Sequence, residues 1–260
     1  MIAGNGTALL SVDSLSVAFG GLKVLKEVSF EVGTDEIVGL VGPNGAGKST
    51  VINAISGVIP PASGQVAYDG RSLHGTSSSR RARMGIARTF QNLELFHTMT
   101  VRENVQAAME ASDSRQLRRM FSPTIRRARD ERVQEAIAAL HLDSVSDVPV
   151  MQLPYGTKKL VELARVFVRR PKLVLLDEPV AGLNRDEKDE FVTLFASLHR
   201  DLGLSGLLVE HDMPTVQGLC SRIVVLDAGA KLAQGSFDEI IRTPAVIEAY
   251  LGPVALVGDA

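Results

Sequence analysis

Gly42, Gly45 and Gly47 run directly into Lys48, Ser49 and Thr50 with the spacing Gly-x4-Gly-Lys-Ser. Glycines let a backbone turn sharply and approach a ligand without β-carbon clashes. Lysine supplies a point charge for phosphate oxygens, and a serine hydroxyl can ligate Mg²⁺. The context fits. Residues 37–41 are apolar and suit a strand buried on both faces, while residues 50–55 resume in helical period. Strand, glycine turn and helix start together aim free N–H groups at an anion, so Gly42, Pro43, Asn44, Gly45, Ala46, Gly47, Lys48, Ser49 and Thr50 form a phosphate cradle for a nucleoside triphosphate.

Transfer of a phosphoryl group to water also needs a metal site, a group that orients or deprotonates the water, and positive charge near the γ-phosphate. Asp177 and Glu178 directly follow the apolar run 173–176. Asp177 is placed to hold Mg²⁺ through water, with Ser49 and Gln91 as further metal contacts, and Glu178 stands where an attacking water would sit. His211 follows a second apolar run, 206–209, and is positioned to donate to the γ-phosphate. Gln91, at the end of the β-like stretch 85–91, links metal and water to whatever partner moves.

Those residues must be brought to one edge by the elements between them. Residues 8–33 read as an antiparallel hairpin around Gly20-Gly21, and 64–70 adds another strand and turn to that layer. Residues 77–83 turn polar and basic. Helical patterns cover 100–112 and 128–142, separated by an arginine-rich segment with Arg115, Arg118, Arg119, Arg126, Arg127 and Arg129. That segment reads as a solvated face, with acidic lipid or a partner loop as the alternative. A turn at 153–156 precedes a helix over 159–169, and an amphipathic helix spans 186–202. Strands at 173–176, 206–209 and 222–226 alternate with these helices, which argues for a parallel sheet covered on both faces with its active edge at the strand C-termini.

The 260 residues are 45% apolar, enough for a sizeable core, and the formal net charge of -2 gives no global field for nucleic acid. The single cysteine, Cys220, forbids an intramolecular disulfide and reads as a small buried apolar residue in a reduced, cytoplasmic setting. Residues 1–7 lack the features of a signal peptide, and no uncharged apolar run reaches the roughly 18 residues that span a bilayer.

Taken together these residues resemble the ATP-binding subunits of ABC transporters over nearly the whole chain. Residues 42–50 match the Walker A loop, Gln91 the Q-loop, 153–157 the signature, 173–178 the Walker B strand with its catalytic glutamate, 181–184 the D-loop, and His211 the switch histidine. Phe19 matches the aromatic that stacks on adenine. The resemblance implies an α/β fold with a P-loop NTPase (RecA-like) core, a parallel sheet, an N-terminal antiparallel β layer and an inserted helical subdomain. It implies one ATPase domain over 8–252, with that subdomain at about 93–168 and a tail at 253–260. It also implies a head-to-tail dimer, in which Tyr155 and Gly156 of one copy close on the ATP held by the other. The usual Leu-Ser-Gly-Gly-Gln is here Leu153-Pro154-Tyr155-Gly156-Thr157, without the serine hydroxyl, which implies weaker or slower closure.

Within that family the chain looks most like the subunits of branched-chain amino acid uptake systems. The carriers are Phe19-Gly20-Gly21-Leu22, the run 85–91, Tyr155-Gly156, Ala181-Gly182-Leu183-Asn184, Glu210-His211-Asp212-Met213 and the ending 246–252. This likeness implies two transmembrane permease subunits, a second ATPase subunit or a second copy of itself, and indirectly an external binding protein. It places the chain peripherally on the cytoplasmic face of the inner membrane, with no nucleic acid. Lipopolysaccharide export, urea or amide uptake, and a non-transport role as a nucleic-acid or ribosome-linked switch are the rival readings.

Overall fold

The computed structural model describes residues 8–89, 93–110 and 123–251. Gln91, the first three arginines of the basic segment and the tail 253–260 lie outside them. In chain order the elements are β1 (Ala8–Phe19), β2 (Leu22–Gly33), β3 (Ile37–Val41), α1 (Lys48–Ser56), β4 (Ser63–Tyr68), β5 (Arg71–Ser72), α2 (Ser78–Arg83) and β6 (Ile86–Arg88). Then come α3 (Val101–Glu110), α4 (Pro123–Ala139), α5 (Tyr155–Phe167), β7 (Leu173–Asp177), α6 (Arg185–Leu202), β8 (Ser205–Val209) and α7 (Met213–Leu219). β9 (Arg222–Asp227), β10 (Ala230–Gly235), α8 (Phe237–Ile240) and α9 (Pro244–Leu251) complete the described chain.

Two sheets form. The first, in order β2-β1-β4-β5, is antiparallel; the second runs β10-β9-β3-β8-β7-β6, parallel throughout except for the edge strand β10. Successive side chains of a strand face opposite ways, and here each face finds its own core. Val174 and Leu176 of β7 and Leu208 of β8 join the core built by α3 to α6. Leu173, Leu175, Leu207 and Val209 join the core shared with α1 and the antiparallel sheet. A third cluster sets Val225 and Ile223 of β9 against Val216, Ile240 and Val246. Burial on both faces explains why β3, β7 and β8 are fully buried apolar runs rather than alternating ones.

Among the elements that differ from what periodicity leads one to expect, α4 begins at Pro123, five residues before the expected start, so Arg126, Arg127 and Arg129 lie within it rather than before it. The polar stretch 77–83 contains α2, whose one buried residue is Arg81. Its guanidinium donates to Ala54 O and Ile55 O at 2.7 Å, Leu73 O at 2.9 Å and Thr76 O at 3.0 Å, so α2 is docked by bonds to carbonyls at the C-terminus of α1, of which Ala54 O also accepts from Gly57 N–H. Next, α5 begins at Tyr155, four residues before the expected start, because Pro154 serves as its N-cap and Lys158 N–H already bonds Pro154 O at 3.0 Å. Finally, β10 is a half-exposed polar edge strand with little apolar patterning to signal it. Cys220 packs its sulfur where a β-carbon on Gly39 would come within 3.0 Å, and burial, with Glu210 nearby, pushes its thiol up to about 12. Among the described residues no helix is long and apolar enough to cross a membrane.

Candidate active site

β3 lies inside the parallel sheet, flanked by β9 and β8, and the chain leaves its C-terminal end through the glycine turn into α1. Gly42 has φ 151°, and a β-carbon there would lie 2.1 Å from Leu226 O, so no other residue fits. Gly47, at φ 99°, is the N-cap of α1; no side chain caps that helix and no acid occupies its first turn, so its leading N–H groups are available to an anion. Lys48 is buried, and its ammonium donates to Gly42 O at 2.7 Å and Pro43 O at 2.9 Å. Burial lowers its pKa, with Glu178 and then Asp177 acting in the opposite direction.

The loop opens on a cleft of about 880 Å³ lined by loop residues together with Val24, Glu178 and His211. Glu178 and His211 therefore reach the same space from the ends of β7 and β8. Glu178 Oε1 lies 3.8 Å from His211 Nδ1. Glu178 adopts φ 50°, a left-handed conformation uncommon for a non-glycine residue and one that clusters at functional sites. Val24, from β2, carries no chemical signature that sequence reasoning could use. Ala46 is buried in the core and, unlike the other loop residues from Gly42 to Thr50, is not among those lining the cleft. Phe19 stands exposed at the end of β1, outside the residues that line the cleft.

Asp177 is 2% exposed and divides its oxygens. Oδ1 accepts from Ser49 Oγ at 3.3 Å, and Oδ2 accepts from Arg88 at 3.1 Å. Arg88 also donates to Asn53 Oδ1 at 2.6 Å, on the next turn of α1 after Ser49. The main-chain N–H of Asp177 donates to Thr89 Oγ1 at 3.3 Å. A serine hydroxyl and a carboxylate oxygen on facing elements form the kind of hard-oxygen donor pair that Mg²⁺ takes alongside phosphates and waters. Gln91 falls outside the described residues. Arg88 was not expected as a site residue, because its partner stands 89 positions away in the chain.

Tyr155 and Gly156 are not among the residues lining this cleft. They sit at the uncapped N-terminus of α5, pressed against the turn that leads into α6. A β-carbon on Gly156 would lie 2.5 Å from Glu187 Oε1, and one on Gly182 would lie 3.0 Å from the Tyr155 ring. Asn184 and Glu187 form a capping box that fixes this turn, with Glu187 N–H on Asn184 Oδ1 at 3.0 Å and Asn184 N–H on Glu187 Oε2 at 2.9 Å. Within one chain the start of α5 and the glycine-turn cleft therefore do not meet.

The ABC transporter family model matches residues 25–181. The high-affinity branched-chain amino acid transport ATP-binding protein LivG of Salmonella typhimurium is 41% identical over 253 residues, covering 94% of this chain and 98% of LivG. BraF of Pseudomonas aeruginosa, of the same description, is 37% identical over 249 residues, with 94% and 98% covered. Among solved structures, the ADP conformation of an ATP-binding cassette of an ABC transporter superposes with a TM-score of 0.84 at 26% identity, over 95% of this chain and 99% of that one. The chain therefore belongs to the ABC transporter family, as one of its ATP-hydrolysing subunits.

Proposed function

We propose that this subunit powers uptake of branched-chain or related amino acids, and that its hydrolytic site is the cleft between the phosphate loop and the ends of β7 and β8. Lys48 and the N–H groups of residues 45–50 hold the β- and γ-phosphates, with Phe19 against the adenine. Ser49 and Asp177, joined by Gln91, hold Mg²⁺, which when bound neutralises phosphate charge. Glu178 takes a proton from the attacking water as the bond from the γ-phosphorus to ADP breaks, and His211 holds both Glu178 and the γ-phosphate in line. Tyr155 and Gly156 of a second copy, or of a homologous subunit, close the site from the other side, giving two equivalent sites about a two-fold axis.

The observation that carries this reading is that Glu178 and His211 converge over the phosphate loop while Tyr155 and Gly156 face elsewhere. The similarity to LivG and BraF along the whole length supports the substrate class. Residues 93–168 form the helical subdomain of a single domain spanning 8–252. Its edge carries three exposed apolar side chains, Phe96, Met99 and Met151, stitched together where Val150 N–H bonds Met99 O and Met151 N–H bonds His97 O. That edge receives one of two transmembrane permeases, which hold the subunit on the cytoplasmic face of the membrane and take substrate from an external binding protein.

The test is a pair of variants measured for binding of a fluorescent ATP analogue and for phosphate release. Lys48→Ala abolishes binding. Glu178→Gln binds ATP as the unaltered chain does and loses turnover by a factor of about 10² or more. Normal steady-state hydrolysis in either variant refutes the role given to that residue.

A further inference from the structure

Glu210 has no exposed surface, yet no lysine or arginine is within salt-bridge distance of it among the described residues. A buried carboxylate is costly unless strong hydrogen bonds replace its water. Here the donors are main-chain N–H groups from two separate turns. Oε1 accepts from Val180 at 3.1 Å, in the turn after β7; Oε2 accepts from His211 at 3.1 Å and Asp212 at 3.4 Å, in the turn after β8. The first turn carries Glu178 and the second carries His211. One carboxylate therefore ties the turn that carries Glu178, through Val180, to the turn that carries His211.

We propose that Glu210 is a positioning residue for hydrolysis, acting as a strut that holds Glu178 and His211 in register and sustains the left-handed backbone of Glu178; the proposal rests on the roles given to those two residues above. Strained backbone persists only where its surroundings over-determine it. Glu178 N–H bonds Val209 O at 2.9 Å and Glu178 O accepts from Ala181 N–H at 3.1 Å, while the intervening Val180 N–H is fixed by Glu210. Removing the strut frees one side of that bracket. An apolar residue of similar size leaves the buried Val180 N–H unpaired and takes the acceptor from the part-buried N–H groups of His211 and Asp212.

Glu210→Gln separates this role from a general one. An amide keeps the volume but must turn its NH₂ toward either Val180 N–H or the His211 and Asp212 pair, so one of the two turns is released. In the full chain the expected result is a kcat lowered by about ten- to a hundredfold, as for a small misplacement of catalytic groups, with affinity for a fluorescent ATP analogue within about twofold. Added to His211→Ala, Glu210→Gln lowers turnover by less than about twofold further, since residues acting as a unit are not additive. A Glu210→Gln turnover within about threefold of the unaltered chain, a parallel loss of ATP affinity, or full additivity with His211→Ala each overturns the proposal. Should Glu210→Gln not fold, amide exchange in the unaltered chain decides: Val180, His211 and Asp212 exchange as slowly as the core of β8 if the strut exists, and faster exchange at any of them rejects it. Full turnover in Glu178→Gln and His211→Ala would remove the site assignment itself, whereas their loss beside an active Glu210→Gln would remove only the strut.

Discussion

At the scale of single residues, the Asp177 carboxylate shows how burial and pairing would set the aim of the Mg²⁺ ligand proposed above. With one oxygen held by Arg88 and the other beside Ser49, it has little freedom to rotate, and its negative charge is balanced at 3.1 Å. Replacing one partner of a buried pair leaves an uncompensated charge, which costs roughly 3–5 kcal/mol. Arg88→Met is therefore expected to lower unfolding free energy by about 3 kcal/mol at neutral pH, measured by urea denaturation. It is also expected to weaken the Mg²⁺ dependence of ATP-analogue binding, since Asp177 then turns toward whatever donor remains. A variant within 0.5 kcal/mol of the unaltered chain, keeping its full Mg²⁺ response, would show that the pair orients nothing. Lys48, Ser49, Asp177 and Glu178 were legible in the sequence because a strand, a turn and a charged residue are contiguous there. Arg88 was not legible as the partner of Asp177, nor Glu210 as the partner of Val180, because only the parallel pairing of β6 with β7 and β7 with β8 brings them near.

At the scale of elements, α7 shows how a short helix is tied to its neighbour. Asp212 is its N-cap, accepting from Thr215 N–H at 3.1 Å and Thr215 Oγ1 at 2.7 Å, and Lys188 of α6 donates to its other oxygen at 2.5 Å. Burial works to raise the Asp212 pKa, but the hydrogen bonds from Lys188 and Thr215 outweigh it and the net shift is downward. A carboxyl held below its unfolded value adds stability above that unfolded value and loses it as pH falls through the folded one. Lys188→Met should thus cost about 1 kcal/mol at pH 7, a modest figure for a partly exposed pair, and progressively less below about pH 4. Urea midpoints of both chains across that range check it; a gap that stays constant with pH would assign the cost to lost packing instead. The amphipathic helices α3 and α6 and the buried strands were readable from period alone. In contrast, α2 exists because one arginine bonds another helix's carbonyls, and α5 starts at a proline-glycine stretch that reads as a turn until its first N–H bonds are traced. Neither cause leaves a periodic trace.

At the scale of the whole molecule, strand order decides what one copy can do alone. The turns after β3, β7 and β8 converge on the phosphate cleft, while the uncapped start of α5 is anchored on α6 and presents itself away from it. In the composite site proposed above, closure on ATP depends on how well that start of α5 serves an anion held by another copy. Pro154 occupies the N-cap with φ −56° and ψ 157°, values a serine adopts without strain, but offers neither hydroxyl nor N–H. The helix N–H groups remain, so in the proposed composite site the corner would meet phosphate with those donors alone. Restoring the hydroxyl by Pro154→Ser, in a Glu178→Gln chain that holds ATP unhydrolysed, should add one charge-assisted hydrogen bond per composite site. Such a bond is worth about 1.5–3 kcal/mol, reduced by up to about 1 kcal/mol through the greater freedom of serine in the open state. Two symmetric sites together contribute at least about 1 kcal/mol, so the dimer gains at least about fivefold in affinity, 1.4 kcal/mol being a factor of ten. Sedimentation with Mg²⁺ and ATP measures it directly. If the Glu178→Gln chain already pairs as tightly without the change, Pro154 does not weaken closure, and the two N–H groups that follow it suffice to grip the phosphate.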